Sequence, residues 1–320
     1  MFKLMPAFKD YLWGGTKLKT EYGKESNLDI VAETWELSTH PDGLSIIDSG
    51  EYKGQTLLSY VEKNRKSVLG SKCSLENDIP ILIKFIDAKD ALSIQVHPDN
   101  EYALKNENDF GKTEMWYIIE AEPDAKLIYG FNKDISKEEF EKAIKENTLT
   151  EVVNEINVKK GDVLFIKPGT LHAIGKGIVI AEIQQRSNVT YRIYDFGRLG
   201  ADGKPRELHI EKALDVTNLK KQENLTIDYK FTDCETSKKA LLAECSYFHV
   251  ELIKLNDKLT FETNGETFHS LLILDGTCNI VSEKNLGYSI NGKKGDSIFI
   301  PANTGKYEIV GNADIILTTL

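Results

Sequence analysis

The sequence predicts a mainly β protein made of two similar barrels or sandwiches, with helical insertions in the first. Three observations carry this. Lys159-Lys160-Gly161-Asp162-Val163-Leu164-Phe165-Ile166 returns as Lys293-Lys294-Gly295-Asp296-Ser297-Ile298-Phe299-Ile300, each with a proline within two residues. Upstream of each copy, Trp116-Tyr117-Ile118-Ile119-Glu120-Ala121 resembles Ser270-Leu271-Leu272-Ile273-Leu274-Asp275. Short β-branched or alternating runs recur along the chain, and from about residue 225 they are almost the only pattern. A duplicated β unit implies two similar β folds.

In order, Tyr11-Leu12-Trp13-Gly14-Gly15 puts a sharp turn beside an aromatic side chain. Ser45-Ile46-Ile47 reads as a short strand, and residues 54–69 carry a helical pattern that ends near Gly70. Two strands follow, over 80–86 and 91–97. Pro98 stops the second, because it has no N–H for a ladder, and Asp99-Asn100 caps a short helix. Glu114–Ile119 and Ala125–Phe131 read as strands. Ser136-Lys137-Glu138-Glu139 is a capping box that opens a helix with Phe140, Ala143 and Ile144 on one face. A further short helix is expected around 149–155. Strands are expected at 163–166, from His172, at 178–184 and at 190–194, then a helix over 207–216.

Composition narrows the function. The 320 residues are 41% hydrophobic and 28% charged, which suffices for one large core or two smaller ones. A net charge of -10 with no Lys/Arg block argues against a nucleic-acid partner. No apolar run reaches membrane length and the N-terminus shows no signal-peptide core, so a cytoplasmic, membrane-free protein is expected. Cys73, Cys234, Cys245 and Cys278 lack CxxC spacing and read as reduced structural thiols.

The chemistry gathers around Ser93-Ile94-Gln95-Val96-His97. On a strand, side chains two apart share a face, so Ser93, Gln95 and His97 point one way while Ile94 and Val96 point to a core. Glu114 and His172 supply matching types further along. Together Gln95, His97, Glu114 and His172 form a set suited to a first-row divalent ion. Two imidazoles and one carboxylate leave positions open, and Gln95 adds a neutral amide oxygen. A single carboxylate leaves such a site net positive, which favours polarising a substrate oxygen. The second copy has Gly305 or Lys306 where the first has His172, so it reads as structural, with His249 and His269 as ordinary surface or core histidines.

At these residues the chain resembles the type I phosphomannose isomerases, zinc enzymes of the cupin superfamily. The resemblance spans most of the chain. It rests on Tyr11-Leu12-Trp13-Gly14-Gly15, Glu33-Thr34-Trp35 through His40-Pro41, Leu92 to Pro98, Gly111-Lys112-Thr113-Glu114-Met115, Pro168-Gly169-Thr170-Leu171-His172-Ala173, and Glu182 to Arg192. It implies two cupin (jelly-roll-like) β-barrels and one Zn2+ per chain on Gln95, His97, Glu114 and His172. It also places active-site residues at Lys112, Glu182 and Arg192. The segment Ile193–Arg198 departs from the long family members and their helical domain is much reduced, as in the short bacterial form, which leaves the phosphate-gripping residues unassigned. The resemblance divides the chain into a catalytic cupin domain, 1–235, and a degenerate cupin domain, 236–320.

The implied reaction interconverts mannose 6-phosphate and fructose 6-phosphate through a cis-enediol(ate). It needs a base, a carrier for hydroxyl protons and cations beside the developing oxyanion. Arg192, always charged, suits the last role. Lys112, Glu182 or a water held by the ion is the proton-transfer group. Ser93 is a candidate sugar or phosphate contact and Trp13 a candidate pocket wall, although each also suits an ordinary strand or core position. The partner is a small sugar phosphate, and the expected assembly is a monomer or weak homodimer. Two other readings use the same residues: a cupin dioxygenase with ferrous iron on the His, Glu, His set, and a non-catalytic sugar-binding cupin. Gln95, Lys112 and Arg192 count against the first, and the intact ligand set counts against the second.

Overall fold

A computed structural model describes residues 1–200, 203–223, 226–284 and 288–320, and it is mainly β. The chain forms two compact units, one of Met1–Lys9, Thr16–Phe85 and Asp228–Leu320, the other of Asp10–Gly15 and Ile86–Ile227.

The first unit is organised on a nine-stranded antiparallel sheet. Its spine is three long strands, His249–Thr263, Gly305–Thr319 and His269–Ser282, with Gly305–Thr319 in the middle. Strand Ser297–Ile300 continues the sheet to Phe2–Met5 and Ile46–Ile47. Alternating burial in parts of the long strands gives way to continuous burial at His269–Leu274 and Ile315–Thr318, and Ile253, Leu271, Ile298, Ile309 and Ile315 share one core. Residue 225, where the β pattern was expected to begin, lies outside the described residues; Thr232–Cys234 opens the series in the structure.

This unit also buries charge. The Lys24 ammonium lies 2.6 Å from Glu36 Oε1, donates to the Gly295 carbonyl at 2.5 Å, and shares Glu36 with the Thr34 hydroxyl at 2.6 Å. Removing one member of a buried pair strands the other charge away from water, at a cost of about 3–5 kcal/mol. Lys24→Met is therefore expected to lower the denaturation free energy by about that amount, read as the shift in denaturant midpoint at constant slope.

In the second unit, strand Glu114–Ala121 pairs with Val163–Ile166 on one side and Ile178–Gln185 on the other. A five-stranded sheet runs Tyr191–Tyr194, Ile94–Val96, His172–Ala173, Lys126–Phe131, Val153–Asn157. Ile94, Val96, Ala173, Tyr191 and Ile193 pack with Phe131, Phe140 and Leu171 in one core. The residues between them, Gln95, His172 and Arg192, therefore occupy the opposite face. Among the described residues neither this sheet nor the nine-stranded one closes on itself.

Several expected elements differ in extent. The helix expected over 54–69 is two helices, Leu57–Asn64 and Lys66–Leu69, because Arg65 adopts a φ of 51° and interrupts the ladder. Strand 91–97 shortens to Ile94–Val96. The helix expected around 149–155 is one 3-10 turn, Leu149–Glu151, after which Val153–Asn157 is a strand; its β-branched residues fit a sheet edge better than a helix. Asp99 caps helix Asn100–Asn106 by accepting from the Tyr102 N–H, and Ser136 with Glu139 closes the capping box of Lys137–Lys145.

The repeated octapeptide makes the same turn twice. In each copy the aspartate Oδ2 accepts from the N–H of the first lysine at 2.9 Å, Asp162 from Lys159 and Asp296 from Lys293. The glycine between, Gly161 at φ 93° or Gly295 at φ 90°, donates to an isoleucine carbonyl of the neighbouring strand, Ile118 or Ile273, at 2.8 Å. A left-handed φ at that point suits glycine alone. The register this sets makes Glu114, opposite Ile166, the counterpart of His269, opposite Ile300. In the second copy His269 Nδ1 bonds the Tyr307 hydroxyl at 2.6 Å, and Tyr307 stacks on Phe261 at 5.7 Å. An aromatic cluster thus fills the place that a carboxylate holds in the first copy.

Candidate metal centre and active site

The second unit brings three of the predicted ligands to one point. One ligand atom each from His97, Glu114 and His172 lies within 4.8 Å of the others, and all three residues are buried. His97 Nε2 is 3.4 Å from Glu114 Oε1, and His172 Nε2 is 3.8 Å from Glu114 Oε2. The imidazole rings are tilted at 4.8 Å.

Backbone carbonyls set the tautomers. His97 Nδ1 bonds the Val189 carbonyl at 2.9 Å and His172 Nδ1 bonds that of Thr170 at 2.8 Å. A carbonyl only accepts, so each Nδ1 carries the proton and each Nε2 presents a lone pair inward. Burial, with Lys112 alongside, pushes the His97 imidazole down to about 3, and burial lowers His172 too. Both are neutral and fit to ligate.

Glu114 is the charged member. Burial alone would raise its pKa, but the Lys112 ammonium holds it well below the usual carboxylate range. Lys112 Nζ sits 2.8 Å from Glu114 Oε1. Neither Glu114 oxygen makes a hydrogen bond of good geometry, and neither His97 Nε2 nor His172 Nε2 has a hydrogen-bond partner. Lys112 meets only one of these four buried acceptor atoms, and leaving the others unmet would cost several kcal/mol. A divalent cation satisfies all four, so these donors fit a metal ion by their own chemistry.

The sheet register adds the remaining residues. Gln95 lies directly across from His172 on one side and from Arg192 on the other. Directly opposed residues project from the same face, so the amide, an imidazole and the guanidinium stand in one row. Arg192 Nη1 donates to the Glu207 carbonyl at 2.8 Å, and its buried Nε has no partner. Glu182 faces Trp116 across the strands and accepts from its Nε1–H at 3.0 Å; the Trp116 ring meets His172 edge-on at 5.3 Å. Ser93 is buried just before strand Ile94–Val96. Trp13 is buried too, but its described ring contact is Tyr11 at 5.6 Å and its carbonyl accepts from Asp90, so no described contact ties it to the cluster.

Sequence reasoning missed the residues that hold this set. Gln185 accepts from the Thr113 N–H at 3.0 Å and donates to Asn100 Oδ1 at 3.0 Å, and Asn100 Oδ1 accepts from Gly111 N–H at 2.8 Å. That network pins the loop delivering Lys112 and Glu114. A Cβ on Gly111 would sit 2.3 Å from the Asp99 carbonyl carbon, so only glycine allows the approach. Gln184, opposite Glu114, donates to the Gln185 and Ser187 carbonyls. Alternating Glu182 and Gln184 inside an apolar run was the available signal.

Comparison with known proteins, by sequence and by fold, identifies a family. A family model described as "Phosphomannose isomerase type I, catalytic domain" matches residues 1–115, and one described as "Mannose-6-phosphate isomerase, cupin domain" matches residues 237–320. Mannose-6-phosphate isomerase ManA of Bacillus subtilis (strain 168) is 37% identical over 318 residues, covering 98% of this chain and 97% of that protein. Mannose-6-phosphate isomerase of Streptococcus mutans is 36% identical over 95% of this chain and 93% of its own. The crystal structure of the mannose 6-phosphate isomerase from Bacillus subtilis superposes with a TM-score of 0.92 at 33% identity, covering 100% of this chain and 99% of that one. The fold is accordingly cupin-related. Similar from end to end in both sequence and fold, and matched near each terminus by a family model, the chain belongs to the type I phosphomannose isomerases.

Proposed function

We propose that this chain is a zinc-dependent isomerase that interconverts mannose 6-phosphate and fructose 6-phosphate through a cis-enediol(ate). The observation that carries the reading is the buried convergence of His97, His172 and Glu114, with acceptor atoms facing inward beside the Lys112 ammonium. Gln95, His97, Glu114 and His172 are the proposed zinc ligands. Bound there, a zinc ion would supply Lewis-acid charge that polarises substrate oxygens.

The side chains divide the rest of the work. Glu182, aimed by the Trp116 N–H, is the proposed carrier of the proton between C1 and C2. Lys112 beside Glu114 donates a proton to the sugar's carbonyl oxygen as negative charge builds there and recovers one from the neighbouring hydroxyl as the new carbonyl forms. Arg192 stabilises the oxyanion without giving up a proton. The apolar side of strand Ile94–Val96 packs into the core and keeps the ligand-bearing face in place. Ser93 is the proposed sugar contact and Trp13 a pocket wall at the edge of the substrate.

We read residues 1–235 as the catalytic cupin domain and 236–320 as a degenerate copy, the pair forming two barrel-like halves. The His269–Tyr307 hydrogen bond supports a non-metal role for the second copy. No helix among the described residues is long and apolar enough to cross a membrane. We take the enzyme to be cytoplasmic, a monomer or weak homodimer acting on a small sugar phosphate with no nucleic-acid partner.

The test is a coupled assay on mannose 6-phosphate with three arms: the purified protein, the chelated protein, and the chelated protein with zinc restored. Activity is expected in the first, loss in the second, and recovery in the third. Undiminished turnover after complete metal removal, checked by elemental analysis, would refute the metal-dependent reading.

A further inference from the structure

The segment after Arg192 carries a cluster that the metal centre does not use. Asp195 is buried and gripped by two arginines. Arg206 takes it side-on, Nε to Oδ2 at 2.7 Å and Nη2 to Oδ1 at 2.5 Å. Arg198 donates from Nη2 to Oδ1 at 2.5 Å, from Nε to the Asp195 carbonyl at 3.2 Å and from Nη1 to the Ala91 carbonyl at 2.5 Å. Burial would raise the Asp195 pKa, but these two guanidinium groups hold it below its ordinary value.

The charges do not cancel. Arg192 belongs to the same group: besides burial, the nearby Arg206 and Arg198 lower its pKa, while Asp195 and Glu207 raise it. Three guanidinium groups against two carboxylates leave a positive surplus. The Arg198 and Arg206 side chains remain 19% and 22% exposed, and Arg206 Nη1 makes no hydrogen bond among the described residues. Asp195 fixes both forks, which leaves Arg206 Nη1 and the second N–H of each Arg198 terminal nitrogen as the donors for an anion with tetrahedral oxygens.

Position connects this cluster to the substrate. Arg192 stands across from Gln95, which stands across from His172, so the arginine strand is two strand spacings, about 10 Å, from the His172 strand. Arg198 anchors Ala91, two residues before Ser93. A hexose 6-phosphate carries its anion at the opposite end of the carbon chain from C1 and C2.

We propose that Arg198 and Arg206, braced by Asp195, receive the phosphate of the substrate. This rests on the isomerase reading above. The experiment measures steady-state kinetics on mannose 6-phosphate for the parent, Arg198→Ala and Arg206→Ala, with inorganic phosphate as competing inhibitor. Loss of a charge-assisted contact should raise KM by roughly tenfold to a hundredfold. The phosphate inhibition constant should rise alongside, with kcat changed only a few-fold. KM and phosphate inhibition at parent values in both variants would overturn the proposal, and so would a fall in kcat alone. Should Arg206→Ala fail to fold, the double variant Asp195→Asn with Arg206→Gln removes opposite charges together and is held to the same two readouts. A parent inactive on mannose 6-phosphate refutes the isomerase reading; an active parent with unshifted variants refutes the arginines alone.

Discussion

Glu114→Ala is expected to abolish isomerisation and to bring the bound metal down to background. Glu114 is the only carboxylate in the His97, Glu114, His172 set. Its two oxygens are 3.4 and 3.8 Å from the two inward nitrogens. Without it, the two neutral imidazoles would face a divalent ion beside the uncompensated Lys112 ammonium, and the cation would be repelled. Lewis-acid stabilisation of several kcal/mol goes with the ion, which at about 1.4 kcal/mol per decade is a thousandfold or more in rate. Elemental analysis and the coupled assay read both effects. Glu114→Gln serves as the folding control, since its amide oxygen keeps an acceptor beside Lys112. An active alanine variant, or one that retains stoichiometric metal, would contradict the proposed centre.

The site was legible in the sequence where spacing and strand periodicity coincide. Gln95 and His97 fall on one face because Ile94 and Val96 must be buried, and the structure buries them. The Gly-Asp turn was readable twice over, since both copies need a left-handed glycine followed by a carboxylate that closes the loop. Pairings distant in sequence were not readable. Nothing local says that Arg192 and His172 flank Gln95 from opposite sides, or that Gln185 and Asn100 pin the Lys112 loop, because hydrogen bonds between residues 85 apart leave no periodic trace. Element lengths were misread where β-branched residues follow a helix, as at Val152-Val153, or where one residue leaves the helical region, as at Arg65. Trp13 shows the limit of residue type: a buried tryptophan beside two glycines suits a core as well as a pocket, and its described contacts do not reach the His97, Glu114, His172 cluster.

Arg192→Ala is expected to lower kcat by about a hundredfold to a thousandfold, or roughly 3–4 kcal/mol of transition-state stabilisation, with KM little changed. The side chain is held from one end, Nη1 on the Glu207 carbonyl at 2.8 Å, while the buried Nε has no acceptor. An unmet buried N–H costs about 1–3 kcal/mol, and a fold keeps such a cost where a ligand or a developing charge will meet it. Burial and the neighbouring Arg206 lower the Arg192 pKa, yet a guanidinium in this setting remains charged, so the group stabilises an oxyanion instead of moving a proton. Charge alone does not reproduce the forked geometry, so Arg192→Lys should recover only part of the loss. The contrast with Arg206 is the sharper measurement. If the two arginines divide the substrate between its reacting end and its phosphate, one variant moves kcat and the other moves KM. Equal effects on both constants from both variants would mean that the cluster acts as one electrostatic patch with no division of labour.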